Sequence, residues 1–97
     1  MIQDRIWRGA ASFSDHALDE MKDEAILPED VRQAVLAGVL EGRQTCDVRG
    51  TRYVFLGRGM DRNWIKVVCR LIEESVRIIT VYRIYYVPRW HRTRDLK

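Results

Sequence analysis

The chain reads as an α+β domain, two helices followed by four strands, and three observations predict it. The stretch from Trp64 to Tyr86 holds two runs rich in β-branched and aromatic residues, parted by Glu73-Glu74-Ser75, and such a pair of runs specifies a β-hairpin. Residues 14–42 instead carry their apolar side chains at helical spacing, in two blocks divided by a proline. The length of 97 residues, 46% of them hydrophobic and 32% charged, suits one core and a single domain spanning 1–97. Two helices that share an apolar side and precede a strand meander segregate onto one side of the sheet. The expected architecture is therefore an N-terminal αα-hairpin packed on a four-stranded, mainly antiparallel sheet.

Taken in order, residues 1–11 read as a lead-in, and Ala10-Ala11-Ser12-Phe13 as either a short strand or extended chain. Ser14 is a good N-cap and Asp15 sits where the free amides of a helix start favour a carboxylate. A first helix then runs to about Glu24, with Ala17, Leu18 and Met21 as its apolar stripe and Asp19, Glu20, Asp23 and Glu24 on the other face. Pro28 suits the first position of a second helix, whose stripe is Val31, Val35 and Val39 with Ala34 and Leu36 beside it. Gly38 or Gly42 is expected to end that helix in the left-handed conformation.

Residues 43–48 suggest a strand weakly. Arg49-Gly50 is a turn signal, 52–56 a clear strand, and 57–63 a polar loop into the hairpin. In the hairpin's first run Ile65, Val67, Cys69 and Leu71 share one face, and Trp64, Lys66, Val68 and Arg70 the other. Strict alternation in the second run puts Val76, Ile78, Thr80, Tyr82 and Ile84 on one side, with Arg77, Ile79, Val81 and Arg83 opposite. A strand apolar on both faces belongs in the middle of a sheet. The tail 87–97 is basic and reads as a mobile arm.

Charge is unevenly spread. Residues 1–48 carry five Arg or Lys against ten Asp or Glu, and residues 49–97 twelve against four, which together give the net +3. The back half holds ten Arg and two Lys. Arginine is the better planar, bidentate partner of phosphate, so the bias points to a polyanion, with RNA as the candidate partner. No apolar run approaches the ~20 residues of a membrane span, and the N-terminus lacks the order of a signal peptide, which places the chain in the cytoplasm without membrane contact. Cys46 and Cys69 then read as buried thiols, and no CxxC or HxxxH spacing supports a metal or other cofactor.

The outline Ser-Asp-His-Ala at 14–17, with Tyr53-Val-Phe-Leu-Gly57, Ile65-Lys-Val-Val68 and Ile78-Ile-Thr-Val-Tyr-Arg83, resembles the bacterial family known as domain of unknown function 4258. That family in turn resembles the small toxins of the RelE and ParE type, so the resemblance implies a RelE-like fold and a toxin of a toxin–antitoxin system, with an antitoxin protein as partner. RelE-like members cut RNA with basic and tyrosine residues of the sheet, whereas ParE-like members act on gyrase. The chain departs from the family outline at three places. Glu20 stands where an arginine is common, Glu24-Ala25 where Arg-Gly is common, and Lys66 where a histidine is frequent. The last change keeps the charge and loses a group that titrates near neutrality.

Two functions follow. The first is a metal-independent endoribonuclease. A neutral imidazole at His16 would accept the proton of an RNA 2′-hydroxyl. Lys66 and Arg83 would stabilise the charged phosphate with Tyr82 as proton donor, and Arg70, Arg77, Tyr85, Arg89 and Arg92 would hold the strand. Lys66 and Arg70 share a strand face, and simple alternation has Arg77 and Arg83 share one too. His91 reads as a tail residue. The alternative is a non-catalytic module that binds an acidic partner, antitoxin or target protein, through a basic sheet face. The oligomeric state is open in both.

Overall fold

In the computed structural model, which describes residues 1–45 and 50–85, three helices lie on one face of a five-stranded mixed sheet. The elements are α1 (Ile2–Trp7), β1 (Ala11–Phe13), α2 (Asp15–Asp23), α3 (Pro28–Ala37), β2 (Val39–Gln44), β3 (Arg52–Arg58), β4 (Trp64–Ile72) and β5 (Ser75–Arg83), and the strand order is β1-β5-β4-β3-β2. The α+β class holds, and so does the antiparallel pairing of β2 to β5. The expected four-stranded sheet is corrected to five, because β1 adds to β5 in parallel, with Ala11 opposite Val76 and Phe13 opposite Ile78. Parallel neighbours need a long crossover, here everything from α2 to β4, so no local signal announces the pair. Cys46 and the tail residues Tyr86, Arg89, His91 and Arg92 lie outside the described residues.

The lead-in is also corrected. Residues 2–7 form α1, whose Ile2 and Ile6, one turn apart, are buried, while Gln3 Nε2 donates to the Val35 carbonyl of α3 at 3.0 Å. Helix α2 starts where expected, with the Ser14 hydroxyl accepting from Ala17 N–H at 3.0 Å. Pro28 opens α3, and Asp30 receives Leu27 N–H and Met60 N–H, each at 2.8 Å, tying the helix start to the β3–β4 loop. That carboxylate is buried, and these charge-assisted bonds offset its desolvation.

Helix α3 ends at Ala37, two residues before Val39, which begins β2. Gly38 is extended (φ −90°, ψ −167°), not left-handed. Its lack of a side chain answers to packing: a Cβ there would lie 2.2 Å from the Ala34 carbonyl oxygen, and one at Gly57 would lie 2.1 Å from the same atom. Two glycines thus let α3 rest directly on β3.

The core lies between helices and sheet: Ala17, Met21, Val31, Ala34 and Val35 meet Phe55, Ile65, Val67, Cys69, Val76, Ile78 and Val81. Beyond β1, the outer edge of β5 is covered by α2 through carboxylates. Glu20 Oε1 accepts from Val81 N–H at 3.0 Å and Glu24 Oε2 from Arg83 N–H at 2.8 Å. A helical i, i+4 step (about 6 Å) matches two residues of strand (about 6.8 Å), so the two glutamates stand where a neighbouring strand's carbonyls would be. This accounts for acidic residues at both positions and masks an edge prone to unwanted pairing.

Candidate functional site

The face of the sheet turned away from the helices is set by one bulge. Val68 pairs with Thr80 but Cys69 pairs with Ile78, so Ile79 is an extra residue in β5 and the alternation slips there. Val76 and Ile78 point to the core before the bulge, and Val81 after it. Arg77, Thr80 and Tyr82 therefore share the open face, and Arg83 goes to the helix side. Simple alternation had placed Arg77 with Arg83 and Tyr82 with Val76; both groupings are corrected.

The open face is built in rows. Arg70 lies directly opposite Arg77, and Arg52 follows in the same row, one step beyond the Tyr53–Cys69 pair. Next come Val54, Val68 and Thr80, then Leu56, Lys66 and Tyr82, and last Arg58 with Trp64. Five cations, Arg52, Arg58, Lys66, Arg70 and Arg77, thus share one surface, and Glu41, displaced outward by a bulge in β2, meets Lys66 at 2.9 Å. Arg58 stacks 4.7 Å over the Trp64 ring.

Arg70 and Arg77 have no acidic partner among the described residues. Arg77 Nη1 donates to Ser12 Oγ at 3.3 Å, while Arg70 Nε is shielded from solvent without an acceptor. Like charges directly opposite across a ladder are unfavourable, and a shielded donor without an acceptor adds to the cost. Between this row and the Lys66–Glu41 pair lies a hollow of about 300 Å³ with Val54 and Val68 in its lining and Tyr82 at its side.

The remaining candidates sit elsewhere. Arg83 is committed on the helix side: it meets Asp61 at 3.1 Å and donates to the carbonyls of Glu24 (3.0 Å) and Ala25 (3.2 Å), which joins the end of α2 to the β3–β4 loop. The Asp61 carboxyl is held below its usual range, first by the backbone N–H of Asn63 and also by the nearby Arg83, against the opposing effect of burial. His16 is exposed on α2, its Nε2 3.4 Å from the Glu20 Oε1 that also accepts from Thr80 Oγ1 at 2.6 Å. Tyr85 is exposed beyond the end of β5. Burial pushes the Cys69 thiol up to about 12.

The structure thus gathers Lys66, Arg70, Arg77 and Tyr82, and leaves Arg83 and His16 apart from them. Sequence reasoning missed Arg52, Arg58 and Glu41. The alternation of Arg52, Val54, Leu56 and Arg58 in β3 carried the signal for two of them once register is known. Among the described residues no group of three or more His, Cys, Asp or Glu is placed to hold a metal ion, and no helix is long and apolar enough to cross a membrane.

Fold and face together define a small α+β domain with a cationic sheet surface opposite its helices. The chain belongs to the family described as Domain of unknown function (DUF4258), whose model matches residues 13–83, from the end of β1 to the end of β5. Comparison with curated proteins and with solved structures found no match.

Proposed function

We propose that this chain is a non-catalytic interaction module that holds an acidic protein partner, an antitoxin or a target, on the open face of its sheet. The observation that carries the reading is the Arg70–Arg77 pair: two arginines stand directly opposite each other across the ladder, with no carboxylate paired to either among the described residues. Such a pair costs stability in the free protein and is relieved by an anionic partner. A protein suits the face better than an RNA backbone. Glu41 stands inside the basic surface and would repel phosphates, whereas Val54 and Val68 offer an apolar floor for side chains. The RelE-like description stays part of this proposal, resting on helices segregated to one face and cations gathered on the other.

The ribonuclease reading has one observation on its side, the exposed His16 beside Glu20. Against it, Arg83 faces the other side of the sheet and is tied to Asp61 and the end of α2.

Both readings are tested on purified protein. With total RNA in EDTA, the wild type and His16→Ala are expected to leave the RNA equally intact. A labelled acidic amphipathic peptide is expected to bind, and Arg70→Glu with Arg77→Glu to weaken it by about tenfold or more, equivalent to about 1.4 kcal/mol. Cleavage by the wild type that His16→Ala abolishes, or binding indifferent to the charge reversals, would overturn the reading.

A further inference from the structure

Strand β2 ends the sheet, and its residues are all exposed or half-buried. A hollow lies on each side of it. On the helix side a groove of about 440 Å³ is lined by Ile2, Val39, Leu40, Tyr53, Phe55 and Leu71 among others, and is mostly apolar. On the open side lies the hollow of about 300 Å³ described above, which β2 borders with Glu41 to Gln44 and which includes Lys66 and Tyr82. Val39 and Leu40 are 41% and 50% exposed at the mouth of the first groove. The two hollows flank one strand, which is where alternate side chains of an added strand would point.

We infer that β2 is a strand-addition edge that accepts an extended acidic segment of a partner protein, in which apolar residues alternate with Asp or Glu. Its backbone continues the sheet past β2. Its apolar side chains enter the groove beside Leu40, and its carboxylates face the open-side hollow towards Lys66 and Arg52, the cations of that surface nearest β2. Main-chain hydrogen bonds hold such a segment, and the two unlike hollows select its alternation. Charge complementarity fixes the sign, since among the described residues the open face carries Arg52, Arg58, Lys66, Arg70 and Arg77 against Glu41. The bulge between Leu40 and Gly42 interrupts the edge, so indiscriminate pairing is disfavoured and the groove contacts must contribute. For the partner's charge this inference rests on the function proposed above; its backbone geometry is independent of that reading.

The probe is a fluorescein-labelled synthetic peptide that alternates glutamate with valine or leucine over the length of β2, beside an isomer with its glutamates grouped. The alternating peptide is expected to bind at least tenfold more tightly than the isomer and to slow amide exchange within 39–44. Leu40→Asp, at a half-exposed position the fold tolerates, is expected to weaken it at least tenfold, with circular dichroism unchanged. Equal binding of the isomer, or unaltered exchange in β2, would overturn strand addition. The two proposals fail differently. Loss of binding in Arg70→Glu but not in Leu40→Asp leaves the acidic-partner reading standing and ends this one; the reverse pattern keeps strand addition and removes the basic face as its anchor.

Discussion

Replacing Arg70 by methionine is expected to stabilise the free domain while it weakens acidic-peptide binding. Methionine keeps the unbranched stem that covers the sheet and removes the charge opposite Arg77. Two unit charges about 6 Å apart repel by about 0.7 kcal/mol at the dielectric constant of water and by about 3 kcal/mol at an effective value of 20. On a half-exposed strand face, with a Debye length of about 8 Å at physiological salt, the lower end applies, about 0.5–1 kcal/mol. The shielded Arg70 Nε adds the cost of a donor without an acceptor, of order 1 kcal/mol. The lost stem contacts and any residual hydration of the guanidinium offset part of this, so the net gain is about 1 kcal/mol. Urea denaturation at low and high potassium chloride reads both parts. The wild type should gain stability as salt screens the pair, and Arg70→Met should start higher and gain less. A variant less stable than the wild type, with an unchanged salt response, would refute the reasoning, because Arg70 would then be held by favourable contacts.

Two further outcomes follow from particular residues. Ala25 has φ +54°, a left-handed conformation that costs an L-residue about 1–2 kcal/mol, and its side chain is exposed. Ala25→Gly should therefore raise the unfolding free energy by up to about 1 kcal/mol after the added flexibility of the unfolded chain is subtracted, seen as a higher denaturation midpoint, and a lower midpoint would contradict the assignment. Cys69 is fully buried, and burial pushes its thiol from the usual 9.0 up to about 12. The folded state holds this proton where the unfolded state releases it, so the thiol contributes stability below the unfolded value that is lost as pH rises from about 9 toward 12. Cys69→Ala should lower stability at neutral pH by leaving a small cavity, yet show a shallower decline over that alkaline window. Parallel declines in both proteins would count against burial as the cause.

Local chemistry already decided much of this molecule. Ser14 capped α2, Pro28 opened α3, and the alternation of Ile65, Val67, Cys69 and Leu71 chose the buried side of β4, because each depends on residues within one or two turns or on a period of two. The basic character of the back half was equally plain from composition. What the linear order could not supply was the pairing that sets neighbours. The parallel contact of β1 with β5 joins residues more than sixty positions apart, and α1 is too short for its pattern to stand out, so both entered only with the tertiary structure. Ile79 is the sharpest case. One extra residue in β5, imposed by its partner strand, shifts Tyr82 onto the open face with Lys66 and turns Arg83 toward α2 and Asp61. Alternation along a strand is a local rule, whereas a bulge is a relation between two strands. The number of arginines was therefore a property of the sequence, and which of them share a surface was settled by the register of the sheet.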